Sequence, residues 1–70
     1  MKDLDELLKL FQHKQLNIET SGLSQEEFDA IAYKLEKADY ATVVRTGTTE
    51  SLVINLTNSA WKKRSQLVKP

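Results

Sequence analysis

No cysteine occurs in this chain of seventy residues, and that sets the terms on which it can fold. A domain this small buries only about 60% of the surface its unfolded chain exposes. Chains near this limit commonly lean on disulfides or thiolate-bound zinc. Neither is available here, so apolar side chains must close the core unaided. Forty per cent of the residues are hydrophobic and 29% are charged, the mix of an ordinary globular domain. The length suits a single domain over residues 1–70, and no repeat, low-complexity tract or linker divides it. No apolar run approaches the roughly 18 residues of a membrane span. The opening Met1-Lys2-Asp3-Leu4-Asp5-Glu6 is acidic and lacks the apolar stretch of a signal peptide. A cytoplasmic setting without a membrane partner is therefore expected.

Hydrophobic spacing divides the chain into elements. Leu4, Leu7, Leu8 and Phe11 follow i, i+3, i+4, i+7, one face of a helix expected from Asp3 to about Lys14. Asp3 suits its N-cap, with Glu6 completing a capping box. Residues 15–23 allow two readings. Leu16 and Ile18 alternate with Asn17 and Glu19 as in a short extended piece, with a turn at Thr20-Ser21-Gly22. A one-turn helix within 17–22 competes with it. Ser24-Gln25-Glu26-Glu27 is a clearer capping box, and Leu23 and Phe28 have hydrophobic-staple spacing. Phe28, Ile31, Ala32, Leu35 and Ala38 then line one face of a helix ending near Lys37 or Ala38. Tyr40 to Arg45 reads as a strand. Leu52, Ile54 and Leu56 alternate with Val53 and Asn55 as the second strand of a hairpin. Thr46-Gly47-Thr48-Thr49-Glu50 connects them, with Gly47 free to take positive φ. Thr57 suits the N-cap of a last helix, from Asn58 to about Leu67, and Leu56 and Trp61 again have staple spacing. Lys69-Pro70 is expected to fray.

Net charge is zero, but the halves differ. Residues 1–41 hold five basic and nine acidic groups, a net −4. Residues 42–70 hold Arg45, Lys62, Lys63, Arg64 and Lys69 against Glu50 alone, a net +4. Such asymmetry marks either a polyanion-binding end or folded-state complementarity between the halves.

The order of helix, short irregular piece, helix, hairpin and closing helix resembles a winged-helix domain. This is the helix-turn-helix variant whose C-terminal β-hairpin is the wing, an α+β fold. Two joints carry the likeness. Leu35-Glu36-Lys37-Ala38-Asp39-Tyr40 turns a helix directly into a strand. Ile54-Asn55-Leu56-Thr57-Asn58-Ser59-Ala60 caps the returning strand into the closing helix. Winged-helix proteins often have glycine where Asp39 and Ala60 stand. Aspartate tolerates the left-handed conformation better than most residues. More narrowly, Gly22-Leu23-Ser24-Gln25-Glu26-Glu27-Phe28-Asp29 and the Leu56-Thr57 joint are similar to the small YjcQ-like proteins of Gram-positive bacteria and their phages. That resemblance implies the winged-helix fold and no assigned chemistry.

What winged-helix resemblance implies about function is DNA binding and transcription regulation, with the helix before the wing entering the major groove by its N-terminal residues. Here those are Gln25, Glu26, Glu27 and Asp29. Gln25 suits adenine and glutamate can accept from cytosine, yet three carboxylates would face phosphates. A second mode places Arg45, Lys62, Lys63 and Arg64, on wing and closing helix, against the backbone of double-stranded DNA. That binding would be weak and salt-sensitive. The alternative is a protein-interaction module. Glu26, Asp29 and Glu36 would form an acidic helix face for a basic partner. Trp61 with Leu67 and Val68, if not all packed inward, would form an apolar strip for a homodimer. Against this, Trp61 suits a core anchor beside Leu4, Leu8 and Leu56. Tyr33 and Tyr40 suit an amphipathic rim.

The sequence offers no catalytic constellation. His13 stands alone, with no nucleophile or orienting partner near it, and suits the C-terminal end of the first helix. Asp3, Asp5 and Glu6 lack metal-loop spacing, and Gly47 alone makes no phosphate cradle. No cofactor, metal or enzyme activity is expected.

Overall fold

A computed structural model describes residues 3–47 and 50–68, the Thr46 side chain excepted. The chain is an α+β domain in which helices cover a three-stranded antiparallel sheet. Its elements are α1 (Leu4–Lys9), β1 (Gln15–Asn17), α2 (Ile18–Ser21), α3 (Gln25–Lys37), β2 (Ala41–Thr46), β3 (Glu50–Leu56) and α4 (Asn58–Leu67). The sheet order is β1-β3-β2. Helix α3 lies on β2 and β3, α1 rests against α3 and α4, and α2 meets β1 and β3. Leu8, Phe11, Phe28, Ala32, Leu35 and Ile54 are wholly enclosed where these layers meet.

Helix α1 begins at the expected N-cap, with the Asp3 carboxylate accepting from the Glu6 N–H at 2.9 Å. It ends at Lys9 and not near Lys14. The Leu10 and Phe11 N–H groups turn back three residues, to the Leu7 and Leu8 carbonyls at 3.1 Å each. That tightened turn drops Phe11 into the core, where none of it is exposed. It also frees the next residues to pair. Leu16 lies opposite Ile54 in β1–β3, and the Leu56 N–H donates to the Lys14 carbonyl at 2.8 Å. Burial of Phe11 and a strand ladder outweigh one further helical turn. His13 therefore lies beyond the helix, so the role expected for it at the helix end does not arise. Lys9 occupies the last turn instead.

Both readings of residues 15–23 hold in part: the extended piece is β1 and the single turn is α2. Gly22, at φ 74°, closes α2. This left-handed turn, which favours glycine, delivers Leu23 and Ser24 to α3. Both bonds of the Ser24–Glu27 capping box are present. Phe28, Ala32 and Leu35 are buried along α3, while Ile31 packs half-buried at the core margin.

At its C-terminus α3 closes by a Schellman motif. The Tyr40 N–H donates to the Leu35 carbonyl at 2.9 Å and the Asp39 N–H to Glu36 at 3.1 Å. The motif requires a left-handed residue, and Asp39 takes it at φ 61°. Strand β2 follows at once.

The alternation expected in β3 is broken. Val44 pairs with Val53 and Arg45 with Ser51, so Leu52 is the extra residue of a bulge. Ile54 and Leu56 point into the core, but beyond the bulge the parity reverses. Ser51 is buried and Leu52 only half-buried. At the last joint Thr57 caps α4, its hydroxyl accepting from the Ala60 N–H at 3.2 Å. Ala60 is 1% exposed. Thr48 and Thr49 of the connection, and the fraying expected at Lys69-Pro70, lie outside the described residues.

Replacing Asp39 by glycine removes the left-handed penalty while keeping both main-chain bonds. Glycine also frees the unfolded chain, which offsets part of the gain, and we expect Asp39→Gly to stabilise the domain by a net of about 0.5–1 kcal/mol, raising the thermal midpoint by roughly 2–8 °C. Unchanged or lower stability in a thermal melt would contradict this account of the joint.

Candidate functional surfaces

The charges expected to act on partners are largely engaged with one another. Arg45, on β2 beside the bulge, makes a bidentate pair with Glu36 of α3, at 2.8 and 3.0 Å. A residue expected to grip phosphate is thus tied to one expected to meet a basic partner. The pairing lowers the Glu36 carboxyl and raises the Arg45 guanidinium from their ordinary values.

Asp29, also expected on the acidic face, turns towards the hairpin. Its Oδ1 accepts from the Ser51 main-chain N–H and from the Gln25 side-chain amide, both at 2.9 Å. The same Gln25 amide donates to the Ser51 carbonyl at 2.8 Å. Strand β1 pairs no further than Val53, and at Ser51 the main chain of β3 is met by α3 side chains. Gln25, expected as a base reader, is therefore a clamp on the sheet. The spacing of Gln25 and Asp29 by four suggests their mutual contact. Nothing local in the sequence points to Ser51, because its position depends on the bulge. The Ser51 N–H is the main reason the Asp29 carboxyl lies below its ordinary value, with Gln25 adding to it and burial opposing.

Glu26 alone of the three expected acids points into solvent, next to exposed Glu27. The outward stripe of α3 is Glu26, Ala30, Tyr33 and Lys37, all exposed. Tyr33 has 60% of its surface open. Lys37 Nζ lies 5.5 Å from the centre of the Tyr33 ring and donates to its hydroxyl at 3.4 Å. Ala30, Tyr33 and Lys37 of this stripe also form one wall of an open groove of about 760 Å³ between α1 and α3, whose apolar lining includes Leu4, Leu7, Leu10, Leu23 and Ile31.

On α4, Lys62 is exposed. Lys63 donates to the Tyr40 hydroxyl at 3.0 Å and stands 3.7 Å from Asp5. Arg64 stacks over Trp61 at 5.1 Å, and its Nε is buried without a hydrogen-bond partner. Trp61 and Leu67 pack against the core, leaving Val68 exposed at 43%. Arg45 stands four residues up β2 from Ala41, which pairs with Leu56 where α4 departs. That separation is roughly 13 Å.

Among the described residues, no group of three or more histidine or acidic side chains is placed to hold a metal ion. Nor is any helix among them long and apolar enough to cross a membrane. No protein-family model, curated protein or solved structure matches the chain.

Because Asp29 and Glu36 have depressed folded values, the stability they contribute is complete above the ordinary carboxylate range. It is lost as pH falls through those depressed values. Denaturant melts should show stability level above about pH 5 and declining below about pH 4. The double variant Asp29→Asn, Glu36→Gln should decline less steeply. An unchanged acid slope would show that these two contacts do not govern it.

Proposed function

We propose that this chain is a winged-helix domain that works by binding and not by catalysis, and that its α3 surface meets protein in preference to duplex DNA. Three features support the fold reading. The elements run α1-β1-α2-α3-β2-β3-α4, Gly22 forms a left-handed turn between α2 and α3, and β2–β3 stands where the wing would be. The functional reading rests on one observation. The first turn of α3 shows Glu26 and Glu27 to solvent, while Gln25 and Asp29 are held against Ser51. Phosphates approaching this turn would meet carboxylates, and the side chain best suited to read a base is engaged elsewhere.

A second reading is favoured by the side-by-side exposure of Lys62 and Lys63 on α4. With Arg45 and Arg64 these cations would touch DNA phosphates without sequence reading, as a weak contact in transcription regulation.

Titration with a duplex at two salt concentrations, followed by amide chemical shifts, separates the two. The protein-facing reading expects Gln25 to Lys37 to stay still at low salt. The second expects shifts at Arg45 and at 62–64 that fade with salt, and stronger binding when Glu36→Gln releases Arg45. Duplex-induced shifts centred on the first turn of α3 would overturn the protein-facing reading.

A further inference from the structure

We infer that the outward stripe of α3 docks, antiparallel, on the same stripe of a second copy of this chain. The inference rests on the protein-facing reading of α3 and names its partner.

Glu26, Ala30, Tyr33 and Lys37 are all exposed and are spaced by four, three and four. This is the recurrence of the contact seam in a coiled coil. The stripe spans roughly 16 Å of helix. Reversing it about the point between Ile31 and Ala32 brings Glu26 opposite Lys37 and Ala30 opposite Tyr33. The symmetry of a two-fold contact makes each pairing occur twice. Opposite charges meet at both ends, and the large exposed ring of each copy lies over the small side chain of the other. A parallel arrangement would instead set Glu26 on Glu26 and Lys37 on Lys37, which repel. The stripe is therefore self-complementary in one direction only.

The two-fold axis of such a pair lies in the contact plane, perpendicular to the helices. Both α1 helices then fall on the same side, and the two apolar grooves between α1 and α3 face each other. Stable interfaces bury roughly 1,200–2,000 Å². One pair of helices about 20 Å long falls short of that, and the facing grooves add the apolar lining that includes Leu10, 37% exposed. Tyr33, an exposed aromatic at the centre of the seam, is the expected anchor.

Sedimentation equilibrium up to roughly 1 mM should show the mass rising from 8.0 kDa towards twice that value. Glu26→Lys and Lys37→Glu, each alone, place like charges together and should remain monomeric with unaltered circular dichroism. An equimolar mixture of the two variants restores both pairings and should recover the doubled mass. In a half-labelled wild-type sample, intermolecular contacts between the Tyr33 ring and the Ala30 methyl should appear in NMR spectra without any substitution. A strict monomer throughout overturns the inference, as does a dimer indifferent to both substitutions or a mixture that stays monomeric. None of these outcomes bears on whether duplex DNA moves the α3 amides, so failure here is distinct from failure of the protein-facing reading.

Discussion

Helix α3 lies on the hairpin through Phe28, Ala32 and Leu35, none of which retains exposed surface. Burying a large apolar side chain contributes roughly 1.5–3 kcal/mol, so Phe28 and Leu35 account for much of what holds so small a chain together. Position then follows from polar contacts at two points. Gln25 and Asp29 hold the main chain of Ser51, and Glu36 holds Arg45. Each fixes a face of α3 towards β2–β3. What is left over is the outward stripe, most of which also walls the groove with α1. The surface open to a partner is what remains after the sheet has taken its share of the helix.

Most of the architecture was legible in the residues because its signals are local. Ser24 with Glu27, and Thr57 before the closing helix, act within one turn, and each lies where it was expected. Asp39 stood in the sequence as a departure from the glycine expected at that joint, and it takes the left-handed conformation that aspartate tolerates. The misses share a long-range cause. The length of α1 is decided by where Phe11 is buried and by the pairing of Leu16 with Ile54, many residues away. The reversal in β3 comes from a bulge that no residue type near Leu52 announces. Ser51, a polar residue in a strand that alternates on paper, could not be read as core without it.

The candidate surfaces were less legible for the same reason. Composition finds an acidic half and a basic half, and folding joins them in part. Glu36 with Arg45, and Asp5 with Lys63, cross between the halves. Exposed pairs of this kind contribute little to stability, but they change what the surface offers to a third party. Lys62 and Glu26 keep their charge open to solvent, whereas Arg45 and Asp29 spend theirs within the fold. A charge tally along the chain cannot separate the two kinds.

The bulge has a bearing on solution behaviour as well as on burial. Strand β2 is an outer strand of the sheet, and its outer rim is a ready template for a foreign chain. Regular pairing with β3 runs only from Ala41 to Val44 before the irregularity, and the arginine just beyond it is charged. A strand from an unfolded neighbour would meet the six-residue rim Ala41–Thr46, twisted where the bulge in β3 lies beside it. The same kink that carries Ser51 inward also makes the hairpin ladder irregular at Arg45, and an irregular edge fits a foreign strand less well than a flat one.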